Sequence, residues 1–133
     1  MNLFGADLLG ADLCGANLYN IKYDNTCLDE NNIPNGNIIG FEIIDNKVIG
    51  YRTRKAGHIK NYLDGRYYSA DLFSTANTKC HPGLYLFPKI QNVIDYIDNN
   101  CEIIKVETLQ SEIHKAGNKW RCRWFKVIGI VKL

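Results

Sequence analysis

The chain has 133 residues, of which 46% are apolar and 11% aromatic, a composition that excludes a disordered chain and bounds the fold to one domain or one domain with a short appendage. No apolar run approaches the ~18 residues a membrane span requires, and Met1-Asn2-Leu3-Phe4-Gly5 has no basic segment before an apolar one, so neither a span nor a secretory signal is expected. The net charge of +2 is unevenly placed: residues 1–50 hold two basic against seven acidic residues (−5), and residues 51–133 hold fourteen against seven (+7). That split fits an anionic ligand on the body of the protein. Five cysteines, widely spaced and without a C-x-x-C pair, read as reduced thiols in a cytoplasmic protein.

Residues 3–20 repeat with a period of five. Leu3, Leu8, Leu13 and Leu18 keep the register, Ala6, Ala11 and Ala16 stand two places before a leucine, and Asp7, Asp12 and Asn17 one place before. This resembles the pentapeptide-repeat family, A-(D/N)-L-x-x, whose repeats wind along the sides of a square right-handed β-solenoid with the leucines inward. The spacing runs on through Tyr23, Leu28 and Ile33, so a solenoid coil over about residues 3–33 is expected, with residues 1–33 as a cap on a body at 38–133. Long family members mimic duplex DNA; so short a coil cannot present that surface.

Residues 29–37 are polar and turn-rich, the best linker candidate. Residues 38–44 and 48–53 predict two strands joined by a tight turn at Asp45-Asn46-Lys47. Residues 55–66 are basic and broken by Gly57 and Gly65; 67–73 predict a strand and 74–79 a polar loop. The centre of the chain is Cys80-His81-Pro82-Gly83-Leu84-Tyr85-Leu86-Phe87-Pro88, read as a turn, a buried strand and a stop. A helix over about 89–99 follows, with Ile90, Val93, Ile94 and Ile97 on one face, set to pack on a sheet. Residues 101–107 predict a strand, 108–118 a loop turning at Ala116-Gly117-Asn118, and 119–133 one or two strands. Period-two alternation in that last run puts Trp120, Cys122 and Trp124 on one face, taken as core, and Arg121 and Arg123 on the other, taken as solvated. The class is α+β: a mostly antiparallel sheet with one main helix.

The motif at 80–86, with an amphipathic helix behind it, resembles a domain common in phages and prophages that carries C-x-(P/T)-G-(I/L)-H-F. Tyr85 stands where that domain has histidine, and Lys119-Trp120-Arg121-Cys122-Arg123 resembles its last strand. The resemblance brings no activity with it. A second resemblance is to ADP-ribosyltransferases. Gly83-Leu84-Tyr85-Leu86 before a helix is similar to the tyrosine strand of one branch. Arg52 or Arg54, Ser74-Thr75-Ala76 and Gln110-Ser111-Glu112 imitate the order of the other. The two alignments are mutually exclusive. Either implies NAD as cofactor, with Arg52 on its pyrophosphate, Tyr85 against nicotinamide and Glu112 supporting the oxocarbenium-like transition state.

His58, His81, His114, Cys80, Cys101 and Cys122 show no metal-ligand spacing, so no metal is expected. Cys80 with His58 offers a nucleophile–base pair, against the simpler reading of a packed turn thiol. The cation–aromatic run at 119–126 resembles a single-strand platform, but alternation separates its tryptophans from its arginines and argues against nucleic acid. With no complete catalytic set, the expected function is binding. The chain would inhibit or sequester a host defence protein or a nucleotide signal in the bacterial cytoplasm, without a cofactor, using Arg52, Arg54, His58, Ser74, His81 and Tyr85. The alternatives are the NAD-dependent transferase, with Arg52, Tyr85 and Glu112 catalytic, and a structural protein that self-assembles through the coil.

Overall fold

The computed structural model describes residue 5 and residues 26–55, 65–77, 81–95, 97 and 101–131. Strands β1 (Glu42–Ile44) and β2 (Lys47–Lys55) form the expected hairpin, with Ile44 opposite Lys47. Asp45 (φ 50°) and Asn46 (φ 66°) both adopt the left-handed backbone that a two-residue type I′ turn demands, and short polar side chains tolerate it. Then come β3 (Tyr67–Ser69), β4 (Leu84–Leu86), helix α1 (Ile90–Ile94), β5 (Cys101–Thr108), a 3-10 turn (Gln110–Glu112), β6 (Ile113–Ala116), β7 (Lys119–Cys122) and β8 (Trp124–Val131).

These strands make two antiparallel sheets, a five-stranded one in the order β1-β2-β5-β8-β3 and a three-stranded one in the order β4-β7-β6. Val48, Ile104, Val106, Phe125 and Val127 from the first close on Leu86, Ile113 and Cys122 from the second, and this inter-sheet layer is the core. Gly50 makes the close approach possible: a Cβ there would stand 2.6 Å from Leu86 Cδ1. Where β1 ends, Tyr51 of β2 takes Phe87 as its partner through two backbone bonds of 2.8 Å, so β4 ties the two sheets together.

Strand β4 and helix α1 form the unit expected at the centre of the body, with Leu86 and Val93 buried and α1 packed on β2 and β5. The helix is five residues long instead of spanning 89–99. Asn92 Oδ1 accepts from the Lys89 N–H at 3.0 Å and starts it. Asp95 follows at its C-terminal end, where the dipole disfavours a carboxylate. The loop expected over 108–118 contains β6, and the strand expected over 67–73 stops at Ser69.

The α+β class with antiparallel strands holds; the solenoid does not. Among the described residues there are two open sheets and one short helix, and no repeat coil. The repeats at 3–20 lie outside the described residues apart from Gly5, but the expected continuation is visible. Residues 26–33 make consecutive turns, and the two inward positions behave oppositely: Leu28 is 1% exposed and Ile33 83%. A solenoid register would bury both. Residues 26–37 are instead fastened to the body, through Thr75 N–H on Cys27 O (2.8 Å) and Asn35 N–H on His114 Nδ1 (3.0 Å).

Candidate functional site

Beyond the Tyr51–Phe87 bridge the edge of β2 parts from β4 and opens a cleft of about 250 Å³, lined by Arg52, Thr53, Tyr85, Phe87, Val93 and Lys119. Arg52 spans the parting. Its Nη1 donates to Tyr85 O (3.2 Å), its Nε to Thr53 O (3.2 Å), and its guanidinium lies 5.6 Å from the centre of the Phe125 ring. From β7, Lys119 places its ammonium 5.6 Å from the Tyr85 ring centre. The Tyr85 hydroxyl donates to His81 O (2.6 Å) and accepts from His81 N–H (3.1 Å), which fixes the ring as one wall. Two cations and two aromatic rings thus converge on a half-buried opening whose floor is Val93.

Behind this wall lies a buried polar layer. The register sets Tyr85 opposite Arg121 and Arg121 opposite His114, so the three share the face of the small sheet that looks away from the core. Residues 70–77 cross that face, and Arg121, wholly buried, donates through Nη2 to Ala76 O. Burial pulls the guanidinium below its ordinary pKa, opposed by its interaction with Tyr85. His114 is held below the usual histidine range, first by burial and then by the Arg121 charge. Its Nδ1 accepts from Asn35 N–H, so the neutral ring carries its proton on Nε2. Arg121 is therefore no solvated arginine, as alternation alone had it: strand parity was right, but both faces of β7 are covered.

Of the residues singled out by sequence, Arg52 and Tyr85 meet in the cleft. Arg54 pairs with Glu102 at 2.8 Å. Ser74 and His81 meet elsewhere, in the interior: Ser74 Oγ lies 2.7 Å from His81 Nδ1 and 3.4 Å from Cys27 Sγ. His58 and Cys80 lie outside the described residues. Glu112 is absent from the cleft, since both its oxygens engage Arg123 (2.6 and 3.3 Å). The NAD arrangement, which needs Arg52, Tyr85 and Glu112 together, does not form, and Ser74 is sealed against His81. Sequence reasoning missed Lys119 and Phe87 at the cleft and Cys27 beside Ser74. Lys119 follows the turn named at Ala116-Gly117-Asn118, and the pairing of β7 with β4, which aims it at Tyr85, leaves no mark in the sequence.

Cys122 is deep in the core, and burial pushes its thiol far above the usual range. No group of three or more His, Cys, Asp or Glu among the described residues is arranged to hold a metal. No helix among them is long and apolar enough to cross a membrane. Compared with family models, curated proteins and solved structures, the chain gives no match. The pentapeptide-repeat, phage-domain and transferase resemblances thus have no support beyond their short motifs, and the first and last are overturned by the geometry above.

Proposed function

We propose that the protein is a small binding module that takes a low-molecular-weight anion carrying a flat ring, of the kind a nucleotide presents, in the cleft between β2, β4 and α1. The observation that carries this reading is the convergence of Arg52 and Lys119 with the Tyr85 and Phe87 rings on one opening. Among the described residues no carboxylate pairs with Lys119, so its charge is available to a ligand. Ring faces recognise the flat part, and the cations fix the anionic end. Free thiols at Cys27, Cys101 and Cys122 support placing the protein in the reducing cytoplasm.

The test is a thermal-shift panel of mono-, cyclic and dinucleotides and smaller phosphorylated aromatics, followed by calorimetry on any hit. Lys119→Met keeps the aliphatic stem on Tyr85 and removes the charge. It is expected to weaken binding about tenfold, the loss of one charge-assisted contact. A panel with no shift, or a Lys119→Met variant that binds as the wild type does, overturns the reading.

A further inference from the structure

The five-stranded sheet has a second face, turned away from the core, and α1 contacts the sheet at β2 and β5, away from β8 and β3. Over β8 and β3 that face is partly open: Tyr67 is 63% and Ile128 38% exposed, and Trp124, Lys126 and Lys105 are half-buried. Cross-strand register places Tyr67 opposite Lys126, Ser69 opposite Trp124 and Lys105 opposite Gly129, so Tyr67, Trp124, Lys126 and Lys105 stand on this one face. The Tyr67 and Trp124 rings lie 5.8 Å apart, with the Lys126 ammonium 5.6 Å from the Tyr67 ring centre. Gly129 keeps the neighbouring surface low, with no heavy atom within 4 Å of where its Cβ would be. Arg66, exposed, precedes β3. No ion pair among the described residues engages Lys105, Lys126 or Arg66. The carboxylate on this face, Glu107, stands opposite Lys126 in the register, and its Oε1 lies 3.4 Å from Lys47 Nζ.

We propose that this open face binds single-stranded nucleic acid, with bases stacked on Tyr67 and Trp124 and phosphates on Lys105, Lys126 and Arg66. Alternation within 119–126 had argued against such a platform, and for Trp120 it was right: that ring lies against the core. The neighbouring strand changes the outcome, because β3 brings a tyrosine beside Trp124 on the side that also carries the lysines. Stacking on an aromatic needs only the π-face that every unpaired base offers, and cations beside it track the backbone. A duplex hides those faces. A second copy docking here would set lysine against lysine, on a half of the chain that already carries +7.

The test is fluorescence anisotropy of labelled oligo(dT) and oligo(U) of about 12 nucleotides, with the full chain, at about 50 and about 200 mM salt. Affinity is expected to fall with salt. Tyr67→Ala should weaken binding about tenfold while Tyr67→Phe keeps it, as stacking without the hydroxyl requires. Changing both Lys105 and Lys126 to Ala should flatten the salt slope by about 1.4, the share of two single-strand phosphate contacts. That measurement stands even where Tyr67→Ala loses its fold. No binding at the lower salt, equal binding by a folded Tyr67→Ala protein, or an unchanged slope overturns the proposal. So does concentration-dependent mass in solution that Tyr67→Ala abolishes, which would assign the face to a second copy.

Discussion

Replacing Gly50 by alanine tests how closely the two sheets are joined. An added Cβ would meet Leu86 Cδ1 at 2.6 Å, Cγ at 3.1 Å and Cβ at 3.3 Å, and Leu86 is fully buried, so its side chain has no solvent side to swing toward. In an ordinary strand position Gly→Ala stabilises by about 0.4–1 kcal/mol through the unfolded chain. Overpacking a closed core costs about 1–3 kcal/mol, so the net expectation is a loss of about 1–2 kcal/mol. Leu86→Ala alone should cost about 2–5 kcal/mol, as a buried leucine truncation does. The double variant should be less damaged than the sum, by about 1 kcal/mol, because the new methyl enters space the leucine vacates. Urea denaturation at unchanged slope measures all three. A neutral or stabilised Gly50→Ala protein, or strict additivity in the double variant, would refute the packing described here.

His114 makes stability depend on pH. Its pKa is depressed in the folded protein, so above the ordinary histidine value of 6.5 the neutral ring costs nothing, and stability is lost as pH falls below that value toward the folded pKa. Urea midpoints between about pH 7.5 and pH 5 should show the decline, and His114→Gln should flatten it. Arg121→Met removes the second cause of the depression, so the His114 titration, followed by NMR, should move upward. The same change costs about 1–3 kcal/mol, since the buried Ala76 carbonyl loses its donor. Glu112→Gln should lower stability by no more than about 1 kcal/mol, because Arg123 is partly exposed, and should leave binding in the cleft unaltered. A Glu112→Gln protein that lost the ligand would put that carboxylate back at the site.

What could be read from sequence was local. The Asp45-Asn46 turn, the strand at 84–86, the start of α1 and the alternation at 119–122 each rest on chemistry carried by neighbouring residues. Carried on to Trp124 the alternation fails, because that residue begins β8 in the other sheet and faces away from the core. What could not be read depended on partners far along the chain. Strand β6 is four residues, Ile113-His114-Lys115-Ala116, with a histidine and a lysine among them, and it becomes a strand by pairing with β7. Arg121 is buried because residues 70–77 fold over its face, and no feature of 119–124 says which face will be covered twice. The fivefold leucine spacing misled at Ile33 for a related reason. Periodicity states which positions are equivalent, but the pinning of Asn35 to His114 and Lys115 decides what residues 26–37 do.

The same long-range pairings explain why cations face solvent at two separate places. Four guanidinium groups brace the interior: Arg54 on Glu102, Arg123 on Glu112, Arg121 on Ala76 O, and Arg52 across the parting of β2 from β4, where it also borders the cleft. Each holds a junction that apolar contacts alone would leave ill-defined. Much of the remaining charge of the body is therefore carried to its surface by Arg66 and by lysines, Lys119 at the cleft and Lys105 with Lys126 on the open sheet, with Lys119 and Lys126 each beside an aromatic ring. An ammonium on a flexible stem is costly to bury and easily screened, so its use is at a surface that meets an anion. On this reasoning the two sites are independent. Lys119→Met should leave oligonucleotide binding unchanged, and Tyr67→Ala should leave the cleft ligand unchanged. If one substitution abolished both, a single shared surface would have to replace the two argued here.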